Sequence, residues 1–471
     1  MNKLDRQSYQ LVVIGAGPAG ISAATTAANL GIDVVVLDEQ PSPGGQIYRA
    51  IANTPAHRSA LLGADYQRGK NLVEVFGASG AKYLPHTTVW SLNSHRQIGI
   101  LRDGQASIIE AERVIVASGA MERPVPFPGW TLPGVMNVGA AQILLKTAGV
   151  VPANGTVIAG TGPLPLLVAW QYLRAGVSVK AVLELSPGSN LWRAAPRLPR
   201  ALVAGDYIRR GLKYTLDLHK GGVPIYYGIS KLQAQGKNHI ETVEYGWDIL
   251  GFSRSETINA DSLLVHFGVI PRTNLTKAAG CNHIWDRGQQ CWRPQVDIWG
   301  NTNVPGIGIV GDNAGIGGAR SAEHSGRLAA LEAVRSLGII STQQRDRQCK
   351  DDLNWMQKDR EVRPFLEALY RLPDSLLVPQ DNNTLVCRCE EISAGQIRQA
   401  VKEGHTGPNQ VKFYLRCGMG PCQGRQCALA VAHIVAAENK YPVSKYTPFR
   451  VRPPIRPLSI AQLANLGRAE D

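Results

Sequence analysis

At 471 residues the chain is longer than a single hydrophobic core usually supports, so two or three domains are expected. Hydrophobic residues make up 44% and charged residues only 18%, with 49 glycines and 29 prolines; this composition fits a loop-rich α/β protein and argues against a disordered one. The net charge of +13 is spread along the chain without a run of five or six basic residues, which argues against a nucleic-acid partner and leaves an acidic partner protein, an anionic cofactor or a membrane surface to account for it.

No stretch of 18 apolar residues occurs, and a phosphate-binding glycine is reached by Gly15. The expectation is therefore no transmembrane segment, no signal peptide, and a cytoplasmic protein that is at most peripheral to the inner membrane. Eight cysteines are too few for a disulfide scaffold of this length, and five of them crowd between Cys387 and Cys427.

In chain order, the apolar run Gln10 to Ile14 predicts a strand that enters Gly15-Ala16-Gly17-Pro18-Ala19-Gly20, and a small-residue helix follows. Gly15 permits a tight turn, Gly17 lets the backbone approach a pyrophosphate, and Gly20 lets the helix pack on the strand, with Pro18 and Ala19 opening the helix whose amino terminus faces the anion. Asp33 to Leu37 predicts a second strand ending in Asp38-Glu39, where an acid can accept hydrogen bonds from an adenosine ribose. These residues place an ADP moiety that belongs to either FAD or NAD.

Pro43-Gly44-Gly45-Gln46, then Val114 to Ala120 with Ser118-Gly119, then Gly308-Ile309-Val310-Gly311-Asp312 ahead of a helix from about Ser321, follow in that order. They resemble the motifs of FAD-binding, disulfide-reductase-like proteins, in which the last aspartate holds the ribityl chain. The resemblance implies an FAD domain in two halves, 1–120 and 255–338, interrupted by an insertion at 121–254.

Within the insertion, Thr156 to Pro165 repeats the strand and glycine turn, and Val177 to Leu185 repeats the second strand with Glu184 near its end. The third glycine is replaced by Pro165, which is bulkier and lacks an N–H, so the fold reads either as an NAD site or as a dinucleotide fold kept as scaffold. No cysteine precedes Cys281, so the C-x-x-C pair of a disulfide reductase is missing.

After a helical connector at 339–380, Cys387-Arg388-Cys389 is followed by Cys417, Cys422 and Cys427. Thiolates this crowded fit an iron-sulfur cluster or a four-cysteine zinc site. The segments Val386 to Glu391 and Gly418 to Arg425 resemble the bacterioferritin-associated ferredoxin domain. That resemblance implies a 2Fe-2S domain at 381–440 with Cys387, Cys389, Cys422 and Cys427 as ligands and Cys417 as the spare. Cys281, Cys291, Cys349 and His324 read as ordinary structural residues, and the Pro-rich tail at 441–471 reads as an extended arm lying on a neighbour, or as disorder.

Taken together, these motifs, with Glu122-Arg123-Pro124, Pro128-Gly129-Trp130 and Phe449 to Pro454, resemble nearly end to end the A or α subunits of opine oxidases and their relatives in hydrogen cyanide synthase, D-hydroxyproline dehydrogenase and dye-linked proline dehydrogenase. The family implies two dinucleotide-binding domains plus a small ferredoxin-like domain. It also implies electron transfer through FAD and 2Fe-2S, a separate FAD-containing β subunit that oxidises the C–N bond, a small γ subunit in some members, and an FMN at the subunit interface whose ligands no short motif assigns. The competing class is a stand-alone NADH-dependent flavin reductase with a structural zinc domain.

Overall fold

A computed structural model describes residues 8–152, 155–201, 205–249, 252–464 and 466. The chain divides into two units, one built from Met1–Met121, Ile270–Arg360 and Arg450–Asp471, the other from Glu122–Val269 and Glu361–Phe449.

The first unit is a seven-stranded sheet. Strand Ser8–Ile14 lies between Val34–Leu37 and Gln105–Val116, all parallel, with Lys82–Leu84 outside Val34–Leu37. Ile307–Ile309 also pairs in parallel with Gln105–Val116, while Gln97–Arg102 and Thr88–Leu92 extend the sheet as antiparallel strands. The alternation along a strand divides its side chains between two cores. Tyr9, Val12 and Ile14 enter one core with Ile98, Ile100 and Ile109, whereas Leu11 and Val13 enter the other beneath helices Pro18–Asn29 and Ala319–Ser336. Those two helices approach closely because both are rich in small residues: a Cβ on Gly326 would stand 2.2 Å from the Ala19 carbonyl oxygen.

The segment Arg450–Asp471 belongs to this first unit. The Ile455 N–H donates to the Trp90 carbonyl at 2.9 Å, its side chain is buried in the strand core, and Arg456 donates to both oxygens of Glu39 at 2.6 and 2.9 Å.

The second unit holds a five-stranded parallel sheet ordered Ile225–Tyr227, Val179–Glu184, Thr156–Gly160, Ser262–His266 and Val135–Asn137. A three-stranded antiparallel meander, Lys231–Gln235, Thr242–Ile249 and Phe252–Asn259, packs into the same core through Leu232, Ala234, Val243 and Tyr245. Its C-terminal part pairs Leu385–Cys387 with Ile392–Ser393 and adds helices Ala394–Lys402, Pro408–Leu415 and Ala428–Glu438. Ser393 and Gln396 form a reciprocal capping box at the start of the first of these helices, satisfying two backbone donors that a helix otherwise leaves open. Among the described residues no helix is long and apolar enough to cross a membrane.

Candidate functional site

The glycines of the first unit fall into two groups. In the first group, other protein atoms, mostly backbone, occupy the space where a side chain would be. A Cβ on Gly15, whose φ is +104°, would lie 2.6 Å from the Ala117 oxygen, and one on Gly20 would lie 1.8 Å from the Gly15 oxygen. Likewise, Gly45 would press on Gly17 Cα at 2.8 Å and Gly311 on Ala19 Cβ at 2.8 Å. Such contacts fix the turn, the helix and the two downstream glycine segments as one rigid cradle.

The second group faces open space. Beyond its own neighbours, Gly17 meets only Gly45 Cα, at 3.9 Å, and nothing lies within 4 Å of a Cβ on Gly119 or Gly318. Pro18 occupies the first turn of helix Pro18–Asn29, where its missing N–H costs nothing. Ser118 Oγ and Arg49 Nε are buried without a hydrogen-bond partner among the described residues. Orphaned polar atoms beside an open glycine face suit a bound dinucleotide, because a ligand phosphate or hydroxyl can complete them. The residues present therefore fit FAD.

Asp38 accepts from the Ala16 N–H at 2.5 Å and from the Gln40 N–H at 2.7 Å, which ties the end of the second strand to the glycine turn. Burial pushes its carboxyl above the ordinary value, against the opposing pull of those two N–H groups and of Arg49. Asp312 accepts from the Gly317 and Gly318 N–H groups at 2.9 and 2.8 Å, holding the loop that leads into helix Ala319–Ser336. Glu39 is engaged by Arg456, and Gln46 follows the closely packed pair Gly44-Gly45, two residues before Tyr48.

Sequence reasoning gave no role to Arg49 or Arg272. Burial lowers the basicity of both, and the charges that counter this include Asp38 for Arg49 and Glu39 for Arg272. Arg49 lies three residues after Pro43-Gly44-Gly45-Gln46, so its closeness to that motif was the available signal; Arg272 carried none. His324 stacks on Trp355 at 4.2 Å and bonds Asp352 at 2.6 Å, the satisfied structural histidine that its setting suggested. Cys281, Cys291 and Cys349 are buried free thiols.

In the second unit all five clustered cysteines are free thiols. The sulfurs of Cys387, Cys417 and Cys427, all buried, lie within 4.8 Å of one another. Cys417, outside the quartet drawn from the sequence, is thus brought in with Cys387 and Cys427. Cys389 and Cys422 form a neighbouring, more exposed pair that interact with each other. The hydrogen bonds of Cys417 and Cys427 lower the Cys387 thiol to about 2, with further help from the Gly418 and Glu390 N–H groups, while the same contacts raise Cys417 and Cys427. With only Cys387 favoured as a thiolate, a cation among the three sulfurs would supply the positive charge that lets all of them ionise, so the donor set fits a metal centre.

The glycines of Gly418-Met419-Gly420-Pro421-Cys422-Gln423-Gly424 are required by what packs on them. A Cβ on Gly418, at φ +85°, would meet the Phe449 ring at 2.4 Å, and one on Gly420 would meet Cys389 Cβ at the same distance. Trp130 donates its indole N–H to the Leu385 carbonyl at 2.7 Å, two residues before Cys387, and Arg388 lies 5.5 Å over the same ring. The inserted fold therefore holds the strand that ends at Cys387, a connection the sequence did not signal.

The family model of the pyridine nucleotide-disulphide oxidoreductases matches residues 9–327, and that of the sarcosine oxidase A3 domain matches residues 381–466. The chain is 42% identical over 467 residues to the opine oxidase A subunit of Agrobacterium tumefaciens (strain Ach5), spanning 97% of this chain and 92% of the relative. It is 32% identical over 475 residues to the hydrogen cyanide synthase subunit HcnB of Pseudomonas aeruginosa, spanning 97% and 98%. Among solved structures, L-proline dehydrogenase from P. horikoshii superposes with a TM-score of 0.70 at 18% identity, covering 98% of this chain and 81% of that one, which is a likeness of fold.

Proposed function

The chain belongs to the family of opine oxidase A subunits within the pyridine nucleotide-disulphide oxidoreductases, and from that premise we propose that it is the FAD-carrying electron-transfer subunit of a multi-subunit dehydrogenase that oxidises the C–N bond of an opine or a related amino acid. The observation that carries this reading is the pairing, in one chain, of an open glycine cradle with a buried group of three thiols. Gly17, Gly119 and Gly318 leave room for the dinucleotide, and Asp38, Ser118 and Asp312 supply polar groups around it.

The thiols Cys387 and Cys427, completed from Cys389, Cys417 and Cys422, would hold a 2Fe-2S cluster. Flavin takes up a two-electron hydride equivalent and releases electrons singly, whereas a 2Fe-2S cluster carries one at a time. The protein's own part is to position both groups. Gly418 and Glu390 N–H groups point at the Cys387 sulfur, a contact that stabilises negative charge there. An FAD-containing β subunit would carry the substrate site, with an FMN at the shared interface. A small γ subunit would be a further partner, and the complex would work in the cytoplasm or at the inner face of the membrane. Octopine- or nopaline-type opines are the substrates this family reading favours, ahead of glycine, proline or D-hydroxyproline.

The test is the visible and low-temperature EPR spectrum of the purified chain before and after dithionite, with iron, zinc and flavin analysis. Flavin, two irons per chain and a rhombic signal on reduction are expected. Flavin with zinc and no such signal would overturn the relay and leave a flavoprotein whose metal serves only to hold the cysteine segment.

A further inference from the structure

The second dinucleotide fold keeps the outline of a nucleotide site. Strand Thr156–Gly160 runs through Thr161-Gly162 into helix Pro163–Arg174, and Gly162, at φ +89°, faces open space. Pro165 does not disrupt the helix: it lies in the first turn, where backbone N–H groups have no intrahelical partner, and its ring fills against Gly160, whose hypothetical Cβ would stand 2.9 Å from Pro165 Cγ. The phosphate turn is thus intact in shape, and the change lies on the ribose side.

There, the connector that leads to the cysteine segment occupies the ground. The Thr161 hydroxyl donates to the Tyr370 carbonyl at 3.2 Å and pairs with the Ser186 hydroxyl at 2.5 Å. Asn190, 1% exposed, donates its side-chain amide to the Leu369 carbonyl at 3.1 Å and to the Arg371 carbonyl at 2.8 Å, bracketing Tyr370 from both sides. Leu372 and Leu377 are buried in the same core as Leu183, Leu185 and Ile229. Glu184, the acid that would accept ribose hydroxyls, instead accepts the Ser186 N–H at 3.0 Å, and its charge helps to raise the Tyr370 phenol.

We propose that this second dinucleotide site is a receptor for the chain's own segment Leu369–Leu372, which takes the ribose subsite of a nicotinamide dinucleotide and thereby anchors the connector to the cysteine domain. The donors on this side are already committed, the Thr161 hydroxyl and the Asn190 amide N–H groups to peptide carbonyls, and Glu184 accepts from Ser186; Asn190 Oδ1 alone is buried without a partner among the described residues. Backbone carbonyls here stand in for ribose oxygens as acceptors. A fold evolved around a diffusible ligand thus binds a tethered one, whose effective concentration no free dinucleotide matches. Neither NADH nor NADPH delivers electrons through this unit, and the inference is independent of the identity of the amine or of the metal.

The experiment uses the full flavin-loaded chain. NADH, NADPH and ADP-ribose are titrated against it by calorimetry, and hydrogen exchange is followed peptide by peptide in the wild type, Asn190→Ala and Thr161→Val. The expected results are no saturable binding of any of the three probes and slow exchange across 366–372 in the wild type. In Asn190→Ala that exchange should rise about tenfold or more, as expected when two buried hydrogen bonds are lost, while strand Thr156–Gly160 keeps its protection. Thr161→Val should give a smaller rise in the same peptide. Saturable NADH binding by the wild type, or connector exchange unchanged in Asn190→Ala, overturns the proposal. If Asn190→Ala lowers protection throughout the second unit, Thr161→Val decides, since it removes only one hydroxyl, with its contacts to Tyr370 and Ser186, and keeps the side-chain volume. Flavin content and the spectrum of the metal centre report separately on the function proposed above.

Discussion

Glu184 gives the second unit a pH dependence whose sign and size follow from its surroundings. Burial raises its carboxyl from 4.5 to about 7, opposed by hydrogen bonds from Ser186 and Thr161, and its charge in turn helps to raise the phenols of Tyr370 and Tyr227. An acid whose pKa is raised on folding binds its proton more tightly in the folded state. Its contribution is therefore complete below about 4.5 and is lost as pH rises through about 7. At about 1.4 kcal/mol per pKa unit the loss amounts to roughly 3 kcal/mol between pH 5 and 8. Glu184→Gln keeps the shape and an acceptor oxygen but cannot ionise, so it should abolish that slope. His433, lowered by burial to about 3, contributes with the opposite sign but is the same in both proteins, so the difference between them isolates Glu184. Urea unfolding between pH 5 and 8, read by exchange in the peptide containing Thr156–Gly160, measures the second unit alone. Stabilities of wild type and variant that run parallel to within about 0.5 kcal/mol across that range would refute the reasoning, since surface changes of no consequence fall within this range.

Gly20→Ala would force a methyl group to within 1.8 Å of the Gly15 oxygen, so the purified variant should lose most of its flavin, measured by absorbance per chain, while the metal content of the second unit is retained. Cys387→Ser and Cys427→Ser, each removing a sulfur common to the buried trio and the spaced quartet, should each cut bound metal to a small fraction by elemental analysis. Ile455→Ala should destabilise the first unit by about 2–4 kcal/mol in denaturant titrations, because its side chain is buried in the strand core, whereas Arg456→Ala, at a more exposed pair with Glu39, should cost about 1 kcal/mol or less.

The sequence by itself determined the first nucleotide fold, because each step there is local chemistry. The apolar run from Gln10 to Ile14, the glycine spacing from Gly15 to Gly20, the acid at Asp38 and the Gly311-Asp312 pair are readable without knowing what they touch, since a buried strand, a tight turn and a helix start each impose their own residue types. The cysteine spacing likewise announced a gathering of thiols able to hold a metal. What the sequence could not carry were contacts between segments far apart in the chain. Cys417 joins Cys387 and Cys427 because the helices after Cys389 fold back and bring sulfurs 30 and 40 residues apart in sequence together, which spacing does not encode. The tail after Phe449 carries almost no periodic pattern, yet Ile455 pairs with Trp90 and Arg456 with Glu39, 417 positions away. The second nucleotide fold shows the same division: the motif announces a site, but whether it is open depends on Asn190 and Thr161 meeting Tyr370 and its neighbours, 179 to 209 residues downstream. Local sequence fixes local geometry, while occupancy of a site depends on long-range packing, which only the folded chain decides.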